Sequence, residues 1–225
     1  CAVFTLLLVN TTANADSSNF AGPYIGLTAS GYGIQMDGSS RAQSAAGDTV
    51  AGQIVQDDVS LGQVAPVSGI EVGYALPLGS MFLVDLGAAY YSGEAKLDHI
   101  SDDGEGTVPV AATTSRDASF VMDDLVSYYI APTLVLSDTS SIYVKVGLHE
   151  ADIAVTGDVT TPANLSGKTW AMGTRTVLEN GIFVRTEAGY TDYNGISSHG
   201  KGTYVDANNS YSAEPTIAFG AVSLG

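Results

Sequence analysis

Gly181-Ile182-Phe183-Val184-Arg185-Thr186-Glu187-Ala188-Gly189-Tyr190-Thr191 decides the fold of this chain. Ile182, Val184, Thr186, Ala188 and Tyr190 fall on one face of an extended segment. Phe183, Arg185, Glu187, Gly189 and Thr191 fall on the other. Strict alternation over this length is the signature of a β-strand with two unlike faces. The pattern recurs in Met81 to Tyr91, where Phe82, Val84, Leu86, Ala88 and Tyr90 oppose Leu83, Asp85, Gly87, Ala89 and Tyr91. It recurs again in Ile142 to His149, where Ile142, Val144, Val146 and Leu148 oppose Tyr143, Lys145, Gly147 and His149.

Working outward, eight strands are expected at about 21–32, 67–76, 81–91, 124–136, 141–151, 165–178, 181–193 and 211–224, with boundaries good to about 2–4 residues. The connections alternate in length. Pro77-Leu78-Gly79-Ser80, Ser137-Asp138-Thr139-Ser140 and Glu179-Asn180-Gly181 are short, and Asn-Gly suits a tight hairpin. The remaining four, about 33–66, 92–123, 152–164 and 194–210, are long and rich in Gly, Ser, Thr, Asp and Asn. Short turns at one end and long polar loops at the other describe an antiparallel, up-and-down, eight-stranded transmembrane β-barrel. A soluble sandwich has no physical reason to sort its loops in this way.

Alternation does not say which face points inward; the less apolar face does. It is mostly Gly, Ala, Ser and Thr with one or two charges per strand, which suits the narrow lumen of eight strands. A solvated face would be dense in Lys and Glu. The apolar face carries almost no charge, as lipid contact requires. Continuing the alternation places Glu71, Asp85, Glu187 and Glu214 in the lumen with Lys145, Arg175 and Arg185, and His149 near one rim. A paired network is expected, because an unpaired charge buried there costs several kcal/mol; solvated rim positions are the alternative. Tyr32, Tyr74, Tyr90, Tyr91, Tyr190, Tyr193 and Tyr211 lie near strand ends, where an aromatic girdle would sit. Pro132 falls inside a strand, where it lacks a ladder donor, and a bulge is expected there.

Composition excludes several classes. The 225 residues hold 24 Asp plus Glu against 8 Lys plus Arg, a net charge of −16, which opposes nucleic-acid binding. With 45% hydrophobic and only 14% charged residues, the chain is no disordered acidic tail. Residues 1–15 read as a signal peptide: an apolar core from Ala2 to Val9, then Ala13-Asn14-Ala15 before Asp16, with the basic front missing. Residues 16–225 then form one barrel domain. Cys1 is the single cysteine, so cleavage after Ala15 leaves no thiol and no disulfide.

Phe20-Ala21-Gly22-Pro23-Tyr24-Ile25-Gly26-Leu27, followed by Gly31-Tyr32-Gly33, resembles the first strand of small outer-membrane barrels of the OmpA/OmpX type and of general porin-family barrel proteins. Ile70-Glu71-Val72-Gly73-Tyr74 is similar to their second strand. The resemblance implies a Gram-negative outer membrane, periplasmic termini and surface-exposed long loops. It implies contact with outer-membrane lipid and lipopolysaccharide, and a role as envelope scaffold, surface-interaction protein or narrow pore. Such barrels commonly end in an aromatic residue, whereas this sequence ends Phe219-Gly220-Ala221-Val222-Ser223-Leu224-Gly225. Truncation at both ends would account for that and for Cys1.

For chemistry, some eight-stranded barrels modify lipid A with Ser and His near the outer rim. His99, His149 next to Glu150, and Ser197-Ser198-His199 are the residues available. Adjacency alone does not supply a nucleophile, a base and an orienting acid, and no catalytic residue is assigned. Asp57-Asp58 and Asp102-Asp103-Gly104-Glu105 lack the ligand spacing of a calcium loop, so no metal or cofactor is assigned. A wide aqueous channel needs about sixteen strands, which leaves a narrow pore for small solutes as the alternative function. The second long connection carries Glu94, Asp98, Asp102, Asp103, Glu105, Asp117 and Asp123 against Lys96 and Arg116. Such loops favour cationic extracellular ligands and repel lipopolysaccharide phosphates unless divalent cations bridge them. The expected protein is a monomeric outer-membrane barrel with a structural or surface-interaction role and no enzymatic activity.

Overall fold

A computed structural model describes residues 15–43, 54–100, 118–156, 159–162, 164–201 and 210–225. Its elements are a short 3-10 turn at Ser17–Phe20 and strands β1 (Gly22–Gln43), β2 (Ile54–Pro77), β3 (Phe82–Ser92), β4 (Ala95–Ile100), β5 (Ala118–Val135), β6 (Ser140–Thr156), β7 (Leu165–Val177), β8 (Phe183–Tyr193), β9 (Ile196–His199) and β10 (Ser210–Leu224). Neighbours run β1-β2-β3-β5-β6-β7-β8-β10, and β1 also pairs antiparallel with β10, from Leu27↔Leu224 to Arg41↔Ser210. That last pairing closes an eight-stranded barrel and removes its edges. β4 and β9 are extra strands inside long connections, paired with β5 and β10.

Period-two alternation survives closure. Ile25, Leu27, Val72, Leu86, Ile142, Val144, Leu148, Met172 and Val222 are exposed on the outer wall. Lipid covers such an apolar band in a membrane barrel. No helix among the described residues is long and apolar enough to cross a membrane; this barrel crosses with strands.

The eight expected strands are present, but the first connection is misjudged at both ends. β1 continues to Gln43 and β2 begins at Ile54, in register from Gly22↔Ala75 to Gln43↔Ile54. Tyr32, Ile34 and Met36 of β1 and Ala65 and Val67 of β2 still alternate inward. The polar outer residues Gln35, Asp37 and Ser39 look like loop only because they stand above the apolar band.

The expected bulge also lies elsewhere. β3 pairs through Val84↔Pro132 without a shift, and Pro132 points outward. The shift falls between Asp123 and Val126 of β5, where Asp124 has a φ of 47°. Asp tolerates this left-handed conformation better than most residues. The extra residue lets Met122 and Leu125 both face inward, and the Tyr90 hydroxyl donates to the Asp124 carboxylate on the outer wall.

The 3-10 turn is started by Asp16, whose Oδ1 accepts from the Ser18 amide at 2.9 Å. The Ser18 donors hold its pKa below the ordinary carboxylate value, against slight desolvation. Folding therefore favours the charged form. Its contribution is complete above roughly pH 4 and fades as pH falls through the lowered folded value. Asp16→Asn is expected to flatten this dependence, read as the protection factor of the Ser18 amide in hydrogen exchange between pH 2 and 6.

Candidate functional site

The lumen is filled in three tiers. The lowest, at the short-turn end, packs Phe20, Tyr24, Ala75, Leu83, Val135 and Phe183. The highest packs Tyr32, Ile34, Tyr91, Leu125, Ile153, Val159, Leu165, Tyr193, Ile217 and Phe219 among others. Between them lie Glu71 (2% exposed), Asp85 (0%), Lys145 (3%), Arg175 (5%), Arg185 (2%) and Glu187 (9%). Each sits at an inward position of its strand, so the pleat alone aims it at the axis.

The charges form two groups. Lys145 pairs with Glu187. The Tyr143 hydroxyl donates to Glu187 Oε2 at 2.8 Å, and the ammonium lies 4.7 Å from the Tyr129 ring centroid. In the second group, Arg185 Nη1 donates to Glu71 Oε2 at 3.1 Å, while Nη2 is 3.8 Å from Asp85 Oδ2. Arg175 Nη1 reaches Asp85 Oδ1 at 3.5 Å, and Thr133 Oγ1 donates to Asp85 Oδ2 at 3.1 Å. Arg175 and Arg185 are directly opposite each other on β7 and β8. Like charges so placed repel, and Asp85 answers both from across the lumen. Aromatic faces complete the cage: the Arg185 guanidinium is 5.1 Å from both Tyr24 and Tyr143, and that of Arg175 is 4.5 Å from Phe183.

Glu214 is the correction. It is exposed on the outer wall, directly opposite Asp37 of β1. On β10 the inward residues are Pro215, Ile217, Phe219 and Ser223. The upper lumen is itself apolar, so the rule that apolar residues face lipid inverts there. Removing Glu214 leaves three acids against three bases among the described lumen residues. His149 is also inside, 3% exposed, with the Tyr193 hydroxyl 3.5 Å from Nδ1.

The girdle divides. Tyr74, Tyr90 and Tyr190 are exposed on the outer wall, whereas Tyr32, Tyr91 and Tyr193 are buried in the upper lumen and Tyr211 is half-buried. Tyr128 and Trp170, not singled out from sequence, join the outer set at 54% and 60% exposure. Tyr129 and Tyr143 are partners of the charges that the sequence alone does not single out. Tyr143 shares its face with Lys145 in the plain alternation, which was the available signal.

The Ser–His arrangements do not assemble. On β9, Ser198 faces inward and its Oγ donates to the Thr160 carbonyl, while Ser197 and His199 face outward. On β6, His149 and Glu150 likewise take opposite faces. The side chains of His99, Asp57 and Asp58 lie outside the described residues, as do Asp102, Asp103, Glu105, Arg116 and Asp117.

A closed eight-stranded barrel with an apolar outer band and a charge-paired, filled interior defines an integral outer-membrane protein. The profile of the outer membrane protein beta-barrel domain family matches residues 2–216, and the chain belongs to that family. It resides in the outer membrane of a Gram-negative bacterium. A comparison with curated protein sequences gives no significant match. Among solved structures it is similar to Ail, the attachment invasion locus protein of Yersinia pestis, in complex with the heparin analogue sucrose octasulfate: 10% identity, 88% of this chain and 99% of that one, TM-score 0.39. A second Ail structure gives 10% identity, 88% and 98% coverage and a TM-score of 0.32. The Salmonella secretin InvG in its open gate state gives 10% identity, 91% and 59% coverage and a TM-score of 0.18.

Proposed function

We propose that this barrel is a monomeric surface-interaction protein whose ligand-binding part is the sheet standing above the membrane, and that it favours cationic partners. The observation that supports this is strand length. β1 has 22 residues and β2 has 24, against about 9–11 needed to cross a bilayer. Roughly ten residues of each extend beyond the lipid band, on the order of 30 Å along the strand. Exposed Asp37, Glu214, Asp124, Glu150, Asp152 and Asp192 stand around this upper wall, with Arg41 and Lys168 among the exposed bases. A surface of that sign attracts polycations and repels polyanions such as the sulfated sugar held by Ail. The filled lumen favours this reading over a pore.

The test is binding to cells displaying the barrel, with poly-lysine and a sulfated polysaccharide as probes. Poly-lysine is expected to bind, to weaken steeply with salt, and to be lost when Asp37, Glu150, Asp152, Asp192 and Glu214 are replaced by Asn or Gln. Binding of the sulfated probe alone, or binding unchanged by the replacement, would overturn the proposal.

A further inference from the structure

We propose that residues 16–21 are a plug that seals the short-turn mouth of the lumen and keeps the charge cluster above it dry. This does not depend on what the outer sheet binds. The segment enters β1 at Gly22 and lies across the mouth. The Ser17 amide donates to the Ser80 carbonyl at 2.9 Å, and its Oγ donates to the Gly79 carbonyl at 2.5 Å. Asn19 Nδ2 then donates to the Asp138 carbonyl at 3.2 Å. Gly79 and Ser80 form the turn between β2 and β3; Asp138 lies in the turn between β5 and β6. In the order β1-β2-β3-β5-β6-β7-β8-β10, that second turn is half-way round the barrel from β1. The segment is therefore a chord across the opening.

Phe20 fills the space the chord spans. Its side chain is 1% exposed and packs with Tyr24, Leu83, Val135 and Phe183. Its ring centroid is 5.9 Å from the Arg175 guanidinium, the lowest charge of the network. Arg175 is 5% exposed and Asp85 is 0% exposed; with Phe20 in place, aromatic rings lie beneath the Arg175 guanidinium. Ion pairs in such a buried setting are screened far less than at a surface.

A thiol placed just above the plug reads its seal. Ser141 is buried at the start of β6 and its Oγ donates to the Arg175 carbonyl at 3.3 Å. Ser141→Cys in a Cys1→Ser background gives one small, nearly isosteric reporter. The folded barrel in detergent, verified by its heat-modifiable gel shift, is treated with a hydrophilic sulfonated methanethiosulfonate. The reporter alone is expected to react slowly, and Phe20→Ser is expected to speed the reaction at least tenfold. The pair Ser17→Ala and Asn19→Ala, which keeps Phe20 but removes its moorings, is expected to speed it severalfold, and it serves as the test if Phe20→Ser does not fold. A reporter that reacts as fast in the parent as in urea-unfolded protein, or plug variants that leave the rate unchanged, would overturn the proposal.

Discussion

Replacing Lys145 by Met is expected to destabilise the barrel by about 3–5 kcal/mol, the usual cost of stranding one member of a buried ion pair. Glu187 would keep the Tyr143 hydroxyl at 2.8 Å but lose its cation, inside a lumen where it is 9% exposed. Glu187→Gln alone strands the ammonium over the Tyr129 ring and is expected to cost a similar amount. The double variant removes both charges together and is expected to cost much less than the sum, because no unpaired charge remains. Trp170 is the single tryptophan and is exposed on the outer wall, so its emission reports whether that face is in lipid. Urea unfolding in lipid vesicles followed at Trp170 gives the four stabilities of the cycle. Additive single costs would show that the two charges do not depend on each other.

Gly173→Val is expected to cost about 3 kcal/mol, while Gly31→Val is nearly silent. A Cβ at Gly173 would collide with the Thr186 carbonyl and the Tyr143 hydroxyl, and would lie 2.5 Å from Tyr143 Cζ. The carbonyl belongs to the neighbouring strand and has nowhere to go. Tyr143 is held by Glu187, so moving it dismantles the upper half of the charge network. Gly87 repeats the relation beneath Tyr129, with the ring Cζ 2.5 Å from a would-be Cβ. Overpacking of this kind costs roughly 1–3 kcal/mol for added methylenes, and a β-branched side chain against backbone belongs at the upper end. At Gly31 nothing lies within 4 Å of the new Cβ, because that position faces the membrane. The folded fraction on a heat-modifiability gel separates the two variants. Equal loss at both positions would mean that strand propensity, not the tyrosine seat, sets the cost.

The sequence was most legible where one strand face is apolar and the other polar. The windows at 81–91, 142–149 and 181–191 assign inward and outward residues in agreement with the burial pattern. Glu71, Asp85, Lys145, Arg175, Arg185 and Glu187 follow from that parity. Reading failed where both faces are alike. On β10, Ile217 and Phe219 are apolar and inward, so polarity there points to the wrong side for Glu214. Tyr32, Tyr91 and Tyr193 have the ring and hydroxyl of interface residues, yet they pack the upper lumen beside His149 and Phe219. Nothing in one residue's chemistry separates a lipid headgroup from an aromatic lumen. The long hairpin of β1 and β2 was hidden for a related reason: above the bilayer its outer face is polar, and a polar strand has the composition of a loop. The plug was invisible because Ser17, Asn19 and Phe20 acquire partners 62 or more residues away only after the barrel closes.

The same hairpin has a mechanical consequence. β1 is bonded on one side to β2 from Gly22 to Gln43 and on the other to β10 from Leu27 to Arg41. Those hydrogen bonds lie perpendicular to the strands. A pull applied to the tip of the sheet, along the strand direction, therefore loads both ladders in shear, with many bonds sharing the force at once. Peeling, which breaks bonds one after another, would require the load to come sideways. An object tethered to the tip and dragged away from the cell would strain the strongest axis of the barrel, with the membrane-embedded half of β1 as the root of the anchor.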